Sequence, residues 1–281
     1  MIKNITILLI SAVVVANILI AYIQADVTQL MTDMKKIPLT IIVLICIFID
    51  AIILPLRLLI NAKLKLDGIN INKNKLNYYV EFVKTAFMSH LPIGSLGADV
   101  GRIILLKSGI FEGVQKKKKS FIIFYDKLTG LLGIIIFFIT ILAYKNTENL
   151  LFIILGASIF VNIYKKLHNT KKIILYVPII LSIIGISLNT LIYYLIIHNM
   201  ISNEINYFQV AYIVPLIIIS NVLPLNFIIG MKELTGYLYF VSLNANSALA
   251  TTLMLALFSA DILSKLITVS VAEIIRNIYD K

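Results

Sequence analysis

The chain has 281 residues, of which 60% are hydrophobic and only 14% charged, and its net charge is +11. A soluble fold of this length cannot bury that much apolar surface, because about a quarter of an ordinary chain is charged; an all-α polytopic bundle in lipid is expected instead. One cysteine and three scattered histidines exclude a disulfide framework and offer no metal-ligand cluster.

In chain order, the first apolar run covers residues 5–23. It is longer than the roughly 7–15 residues of a signal-peptide core, so it reads as a retained anchor rather than a leader with Lys3 in its basic region and a cleavage site at Ala25. Further runs long enough to span lie at 37–54, 121–144, 150–164, 173–197 and 249–271. About 20 residues cross a bilayer, which gives about six full spans. Cys46 lies in the second run and reads as a small packing residue. Two other segments are apolar but broken. Residues 80–106 contain Pro92, Gly94, Gly97 and Gly101, and residues 210–240 contain Pro215, Pro224, Gly230 and Gly236 together with Lys232 and Glu233.

Charge orients the runs. The stretch 61–79 carries Lys63, Lys65, Lys73 and Lys75 against Asp67. The stretch 107–119 carries Lys107, Lys116, Lys117, Lys118 and Lys119 against Glu112, and 165–172 carries four lysines and no acid. The connections at 24–36, 145–149 and 199–207 are balanced or acidic. Positive loops stay on the cytoplasmic side, so the first group faces inward, the second outward, and the N-terminus is cytoplasmic.

Both 61–79 and 107–119 are then inside, so 80–106 must enter and leave by one face, as a re-entrant helix pair hinged at Pro92 and Gly94. Irregular backbone at membrane depth is tolerated only inside protein or beside a wet cavity. The segment 208–240 starts outside. As a single span it would put the C-terminus outside; as a second hairpin broken at Pro224 and Gly230 it makes the C-terminus cytoplasmic, and the breakers and charges favour the hairpin. Two broken segments entering from opposite faces form the pattern of an inverted repeat around a midplane site. The whole chain, 1–281, reads as one transmembrane domain.

Ionisable residues in membrane segments are costly and mark function by default. Asp50, Arg57, Glu81, Lys84, Asp99, Arg102, Asp126, Lys127, Lys232, Glu233, Asp261 and Lys265 are of this kind. Several have structural explanations. Asp261 and Lys265 are spaced to pair on one helix, Lys84 and Lys127 can snorkel to the lysine-rich face, and Asp50 and Arg57, two turns apart, fall on one face of a regular helix. Arg57 reads as the inner end of its span. The run from Gly94 to Arg102 resists such explanations. Its glycines let backbone approach a ligand, Arg102 offers a planar fork suited to phosphate, and Asp99 lies three residues earlier, where it can hold that fork. Asp126, followed by Gly130 and Gly133, is placed to face a neighbouring helix, with Arg102 as its expected partner. Those glycines allow close helix packing. His90 lacks a positioned partner and reads as structural. No catalytic or nucleotide-binding motif is present, and lysines without interleaved aromatic platforms do not indicate nucleic acid.

These residues carry a resemblance. Pro55-Leu56-Arg57, Leu91-Pro92 followed by Gly97-Ala98-Asp99-Val100-Gly101-Arg102, Asp126-Lys127-Leu128-Thr129-Gly130, and Leu223-Pro224 followed by Gly230-Met231-Lys232-Glu233 occur in this order. Over roughly residues 5–275 the chain resembles the lysylphosphatidylglycerol synthase transmembrane-region family, also called the flippase-like domain family. The resemblance puts Arg57, Asp99, Arg102, Asp126 and Glu233 on the family's charged positions. Lys127 stands where the family usually has arginine, and residues 226–229 are poorer in glycine than its second hairpin.

The resemblance implies a plasma-membrane lipid translocase that handles an anionic phospholipid or a polyprenyl-linked glycolipid in envelope or polysaccharide biosynthesis. Membrane lipid is the expected substrate, and enzymes of glycan or lipid biosynthesis are the expected partners. No cofactor, metal or catalytic residue is expected, nor is the aminoacyl transfer of the fused family members. The lipid or phosphate site is expected at Arg57, Asp99, Arg102, Asp126, Lys127, Lys232 and Glu233. A membrane-embedded glycosyl- or headgroup transferase, and a non-transporting scaffold for glycan assembly, are the alternatives.

Overall fold

The computed structural model describes residues 36–65, 75–87, 95–107, 111–145, 158, 176–201, 204–222 and 231–279. Among these residues the regular structure is helical and no strand occurs. The helices are α1 (Leu39–Lys65), α2 (Lys75–Phe87), α3 (Ser95–Leu105), α4 (Lys116–Lys145), α5 (Val177–Met200), α6 (Tyr207–Val222), α7 (Met231–Ser242) and α8 (Ser247–Tyr279). Four of them, α1, α4, α5 and α8, are long and apolar enough to cross a membrane. The run expected at 5–23 lies outside the described residues, as do the run at 150–164 apart from Ser158, His90, Pro92, Gly94, Pro224, Gly230 and the loop 165–172.

Helix α1 runs past the expected boundary at residue 54. It contains a π-helical turn over Ile49–Ile53, where the Leu54 N–H donates to the Ile49 carbonyl five residues back. Pro55 explains the widened turn: it has no N–H for the carbonyl four residues earlier, and its ring would clash there in a regular helix. The chain bends around the missing bond and continues to Lys65, so Arg57 lies within the helix rather than at its end. The π-turn acts as one inserted residue, a rotation of about 100°, so Asp50 and Arg57 do not share the face that a regular helix would give them.

Helices α2 and α3 pack against each other and run antiparallel. The Glu81 carboxylate accepts the Lys107 main-chain N–H just past the end of α3 at 2.7 Å, and the Tyr78 ring stacks on Phe111. Their 13 and 11 residues reach only about 20 and 17 Å at about 1.5 Å per residue, well short of the ~30 Å hydrocarbon core. Gly97, expected at the break of this segment, lies inside α3. The Lys119 ammonium caps the C-terminal end of α3 by donating to the Leu106 carbonyl, where a cation also complements the helix dipole. Lys116 to Lys119, expected in a loop, form the first turn of α4.

Helices α6 and α7 pack together. Helix α6 opens with a capping box: the Asn206 side chain accepts the Gln209 N–H at 3.0 Å, and the Gln209 side chain accepts the Asn206 N–H at 2.8 Å, which satisfies two donors at once. It passes through Pro215 without ending. Asn246 caps α8 in the same manner through the Leu249 N–H.

Two apolar cores lie along α1. Its first half, with Ile42 and Val43, joins α5, α6, α7 and α8 around Tyr193, Phe240 and Leu253. Its second half, with Leu58 and Ala62, joins Leu106, Phe111 and residues of α2 and α4 around Tyr78 and Phe82. At Gly133 of α4 an added Cβ would sit 2.3 Å from the Ser182 Cβ of α5. Only glycine permits that approach, as expected of small residues between membrane helices.

Candidate functional site

The charged residues gather where the second half of α1, the α2–α3 pair, α4 and the start of α5 meet. Arg57 of α1 points at α4. Its Nε donates to Asp126 Oδ1 at 2.9 Å and its Nη2 to Oδ2 at 2.8 Å, a two-pronged planar pairing, while Nη1 reaches Ser182 Oγ of α5 at 3.3 Å. Asn61, one turn beyond Arg57, donates to the same Oδ1 at 3.0 Å and accepts from Thr129 of α4 at 3.4 Å. Asn61, Asp126 and Thr129 are all buried. Gly130 supplies the room: a Cβ there would lie 3.1 Å from Arg57 Nη1. The carboxylate is thus saturated by charge-assisted bonds, the condition under which a buried pair holds.

A second cluster lies beside the first, one residue along α4. Asp99 of α3 accepts from Arg102 Nη1 at 3.2 Å through Oδ1, and Lys127 of α4 forms an ion pair with its Oδ2. Arg102 lies over the Phe82 ring of α2 at 4.7 Å from the centroid, a cation–π contact that fixes the guanidinium plane. Its Nε–H is buried with no hydrogen-bond partner. Tyr78 bridges toward α1, donating to the Pro55 carbonyl at 2.8 Å. Two cations on one carboxylate leave this cluster with a net positive charge, one unmet guanidinium donor, and Lys127 about one-quarter exposed.

The structure therefore brings Arg57, Asp99, Arg102, Asp126 and Lys127 together, but with different partners from those expected. Asp126 pairs with Arg57, not Arg102. Lys127 turns to Asp99 rather than snorkelling, and Lys84 of α2 bridges to Glu273 of α8. Asp261 and Lys265 pair within α8 at 2.7 Å, as their spacing predicts. Lys232 and Glu233 open α7; their side chains lie outside the described ones. Asn61, Ser182, Thr129, Tyr78 and Phe82 were not singled out by sequence reasoning. Asn61 follows Arg57 by four residues and Thr129 follows Asp126 by three, so a search for polar neighbours on the faces of the two charged residues would have found both.

Among the described residues no group of three or more metal-ligating side chains occurs. No family model, curated protein or solved structure matches the chain.

Proposed function

We propose that the protein is an integral membrane lipid translocase of the flippase-like kind, handling the phosphate-bearing headgroup of an anionic phospholipid or a polyprenyl-linked glycolipid in envelope or polysaccharide biosynthesis. One observation carries this reading: Arg102 and Lys127 converge on Asp99 between two half-length helices and a spanning helix, with the Arg102 Nε–H unmet. Asp99 occupies the cations as a phosphate oxygen would. An arriving phosphate offers acceptors to both cations and to the free donor, in a low-dielectric setting where such bonds are strong. Phe82 then holds the guanidinium plane in place while partners exchange.

In this reading α2–α3 is the re-entrant pair and α6–α7 its inverted counterpart, the protein resides in the plasma membrane with both termini cytoplasmic, and enzymes of glycan or lipid synthesis supply the cargo. The antiparallel course and short length of α2 and α3 support the first of these claims, and the lysine-rich ends of α1 and α4 support the orientation.

The test is lipid analysis of protein purified in mild detergent, beside the Arg102→Ala variant. Wild type should retain an anionic or polyprenyl-phosphate lipid beyond its abundance in the membrane, and the variant should lose that enrichment at least several-fold while α4–α5 packing is kept. Equal lipid content in both would remove the reading.

A further inference from the structure

A rim of lysines lies where α1 stops and α4 starts, separate from the two clusters above. Lys63 and Lys65 come from the last turn of α1, Lys107 follows α3, and Lys116, Lys117 and Lys118 open α4. Two contacts bring these three segments together. The Lys65 ammonium lies over the Tyr125 ring of α4 at 3.9 Å from its centroid and over the Phe121 ring at 5.7 Å. The Lys119 ammonium donates to the Leu106 carbonyl, next to Lys107. Lys65 and Lys119 are thereby engaged. Lys63, Lys107, Lys116, Lys117 and Lys118 are exposed, and none of these five forms an ion pair with a described residue.

Such a concentration of charge is unfavourable for the chain on its own. No acid stands in the first turn of α4, although the positive end of the helix dipole favours one there, and neighbouring ammonium groups repel each other. An anion from outside the chain relieves both effects. The residues that follow indicate which kind. Phe121 and Phe124, about one turn further along α4, are 52% and 61% exposed, and α4 is long and apolar enough to cross a membrane. Lysines at the mouth of a span, with bare aromatic rings just beyond them, suit a helix passing from lipid headgroups into hydrocarbon. A soluble polyanion would neutralise the lysines but leave the two rings uncovered. Successive helical residues are about 100° apart, so Lys116, Lys117 and Lys118 fan around the helix end, as contact with a surrounding lipid layer requires.

We propose that this rim is a binding surface for anionic phospholipid headgroups of the leaflet it faces. The lysine stems lie along the apolar edge and their ammonium groups reach the phosphate level. Lysine is a point charge without the planar fork of arginine, so the surface selects lipids by net charge and not by headgroup shape. It holds lipid of the surrounding bilayer, about 13 Å along α4 from Lys127 at about 1.5 Å per residue. The proposal does not rest on the translocase reading, because a non-transporting membrane protein could use the same surface.

The chain has no tryptophan, so Phe121→Trp places a single fluorescent reporter beside the rim and keeps an aromatic ring under Lys65. The purified reporter is reconstituted in phosphatidylcholine vesicles in which brominated, quenching chains are carried either by phosphatidylglycerol or by phosphatidylcholine, at equal mole fraction. At low salt, brominated phosphatidylglycerol should associate several-fold more strongly, and the preference should shrink at high salt. Brominated phosphatidylserine should behave like phosphatidylglycerol. Lys116→Gln, Lys117→Gln and Lys118→Gln together should bring the ratio close to one. Lys63→Gln with Lys107→Gln should remove part of it, which keeps the test decisive if the triple variant does not fold. Arg102→Ala should leave the preference intact, so failure of the translocase reading and failure of this one are distinguishable. Equal quenching by the anionic and zwitterionic lipids, or a preference that survives the lysine substitutions, overturns the proposal.

Discussion

Arg57 and Asp126 face each other with two parallel hydrogen bonds, at 2.9 and 2.8 Å, between a helix that contains a π-turn and one that contains a pair of glycines. Each partner depends on a neighbour on the opposite helix: Asn61 of α1 finishes the Asp126 carboxylate, and Gly130 of α4 leaves space for the Arg57 guanidinium.

Breaking this pair from one side strands a charge among apolar helices. Arg57→Met or Asp126→Leu alone should destabilise by about 3–5 kcal/mol, whereas the double substitution should cost clearly less than the sum of the two. Reversible unfolding in mixed micelles measures all four corners of the cycle, and strictly additive losses would show that the pair does not act as a unit.

Gly133 and Gly113 separate packing from backbone effects. Gly133→Ala places a methyl against the Ser182 Cβ, an approach of 2.3 Å that α4 and α5 must open to relieve, at about 1–3 kcal/mol. Gly113→Ala meets nothing within 4 Å but is held at φ +72°, so only the left-handed backbone penalty of about 1–2 kcal/mol applies. A cysteine cross-link between α4 and α5 should form more slowly in the first variant and at an unchanged rate in the second.

Lys84 ties α2 to α8 through Glu273, which also holds Arg276 at 2.6 Å. Glu273→Gln removes the acid from two cations and should raise hydrogen exchange selectively in α2 and the last turns of α8, while α4 and α5 stay protected. Uniform exchange across all helices, or none beyond wild type, would show that the bridge does not anchor the pair.

Asn206 and Gln209 satisfy each other's main-chain donors at the start of α6. Asn206→Ala should cost about 1 kcal/mol, within the usual range for a lost cap, and should fray α6 locally. Since Asn206 is exposed, Asn206→Asp should recover most of the loss by restoring a side-chain acceptor. A fully stable alanine variant would mean that the cap contributes nothing here.

The helical, membrane-embedded character of the chain was legible because apolar runs of span length and few charges leave little choice. The same is true of the Asp261–Lys265 pair and of the close approach at Gly133, both set by local spacing. Partner choice was not legible. Asp126 and Lys127 are adjacent in the chain, yet the rotation of α4 sends one to α1 and the other to α3, and that rotation is fixed by Gly130, Gly133 and Ser182 on two separate helices. The face carrying Asp50 was misplaced because Pro55 acts on the turn before it, converting a regular period into a wider one. The end of α1 was missed because Asn61, Lys63 and Lys65 look like loop residues until Asn61 is seen hydrogen-bonded in the interior and Lys65 over the Tyr125 ring.

Helix α8 has 33 residues, about 50 Å of rod at about 1.5 Å per residue, against a hydrocarbon thickness of about 30 Å. Part of it must lean steeply or stand clear of the lipid, and Glu273, its link to α2, lies within its last two turns. The short helix beside Arg102 is therefore fastened near the far tip of a long shaft, so that a push or twist applied to that tip from water would be felt beside the Asp99, Arg102 and Lys127 cluster without passing through the bundle's centre.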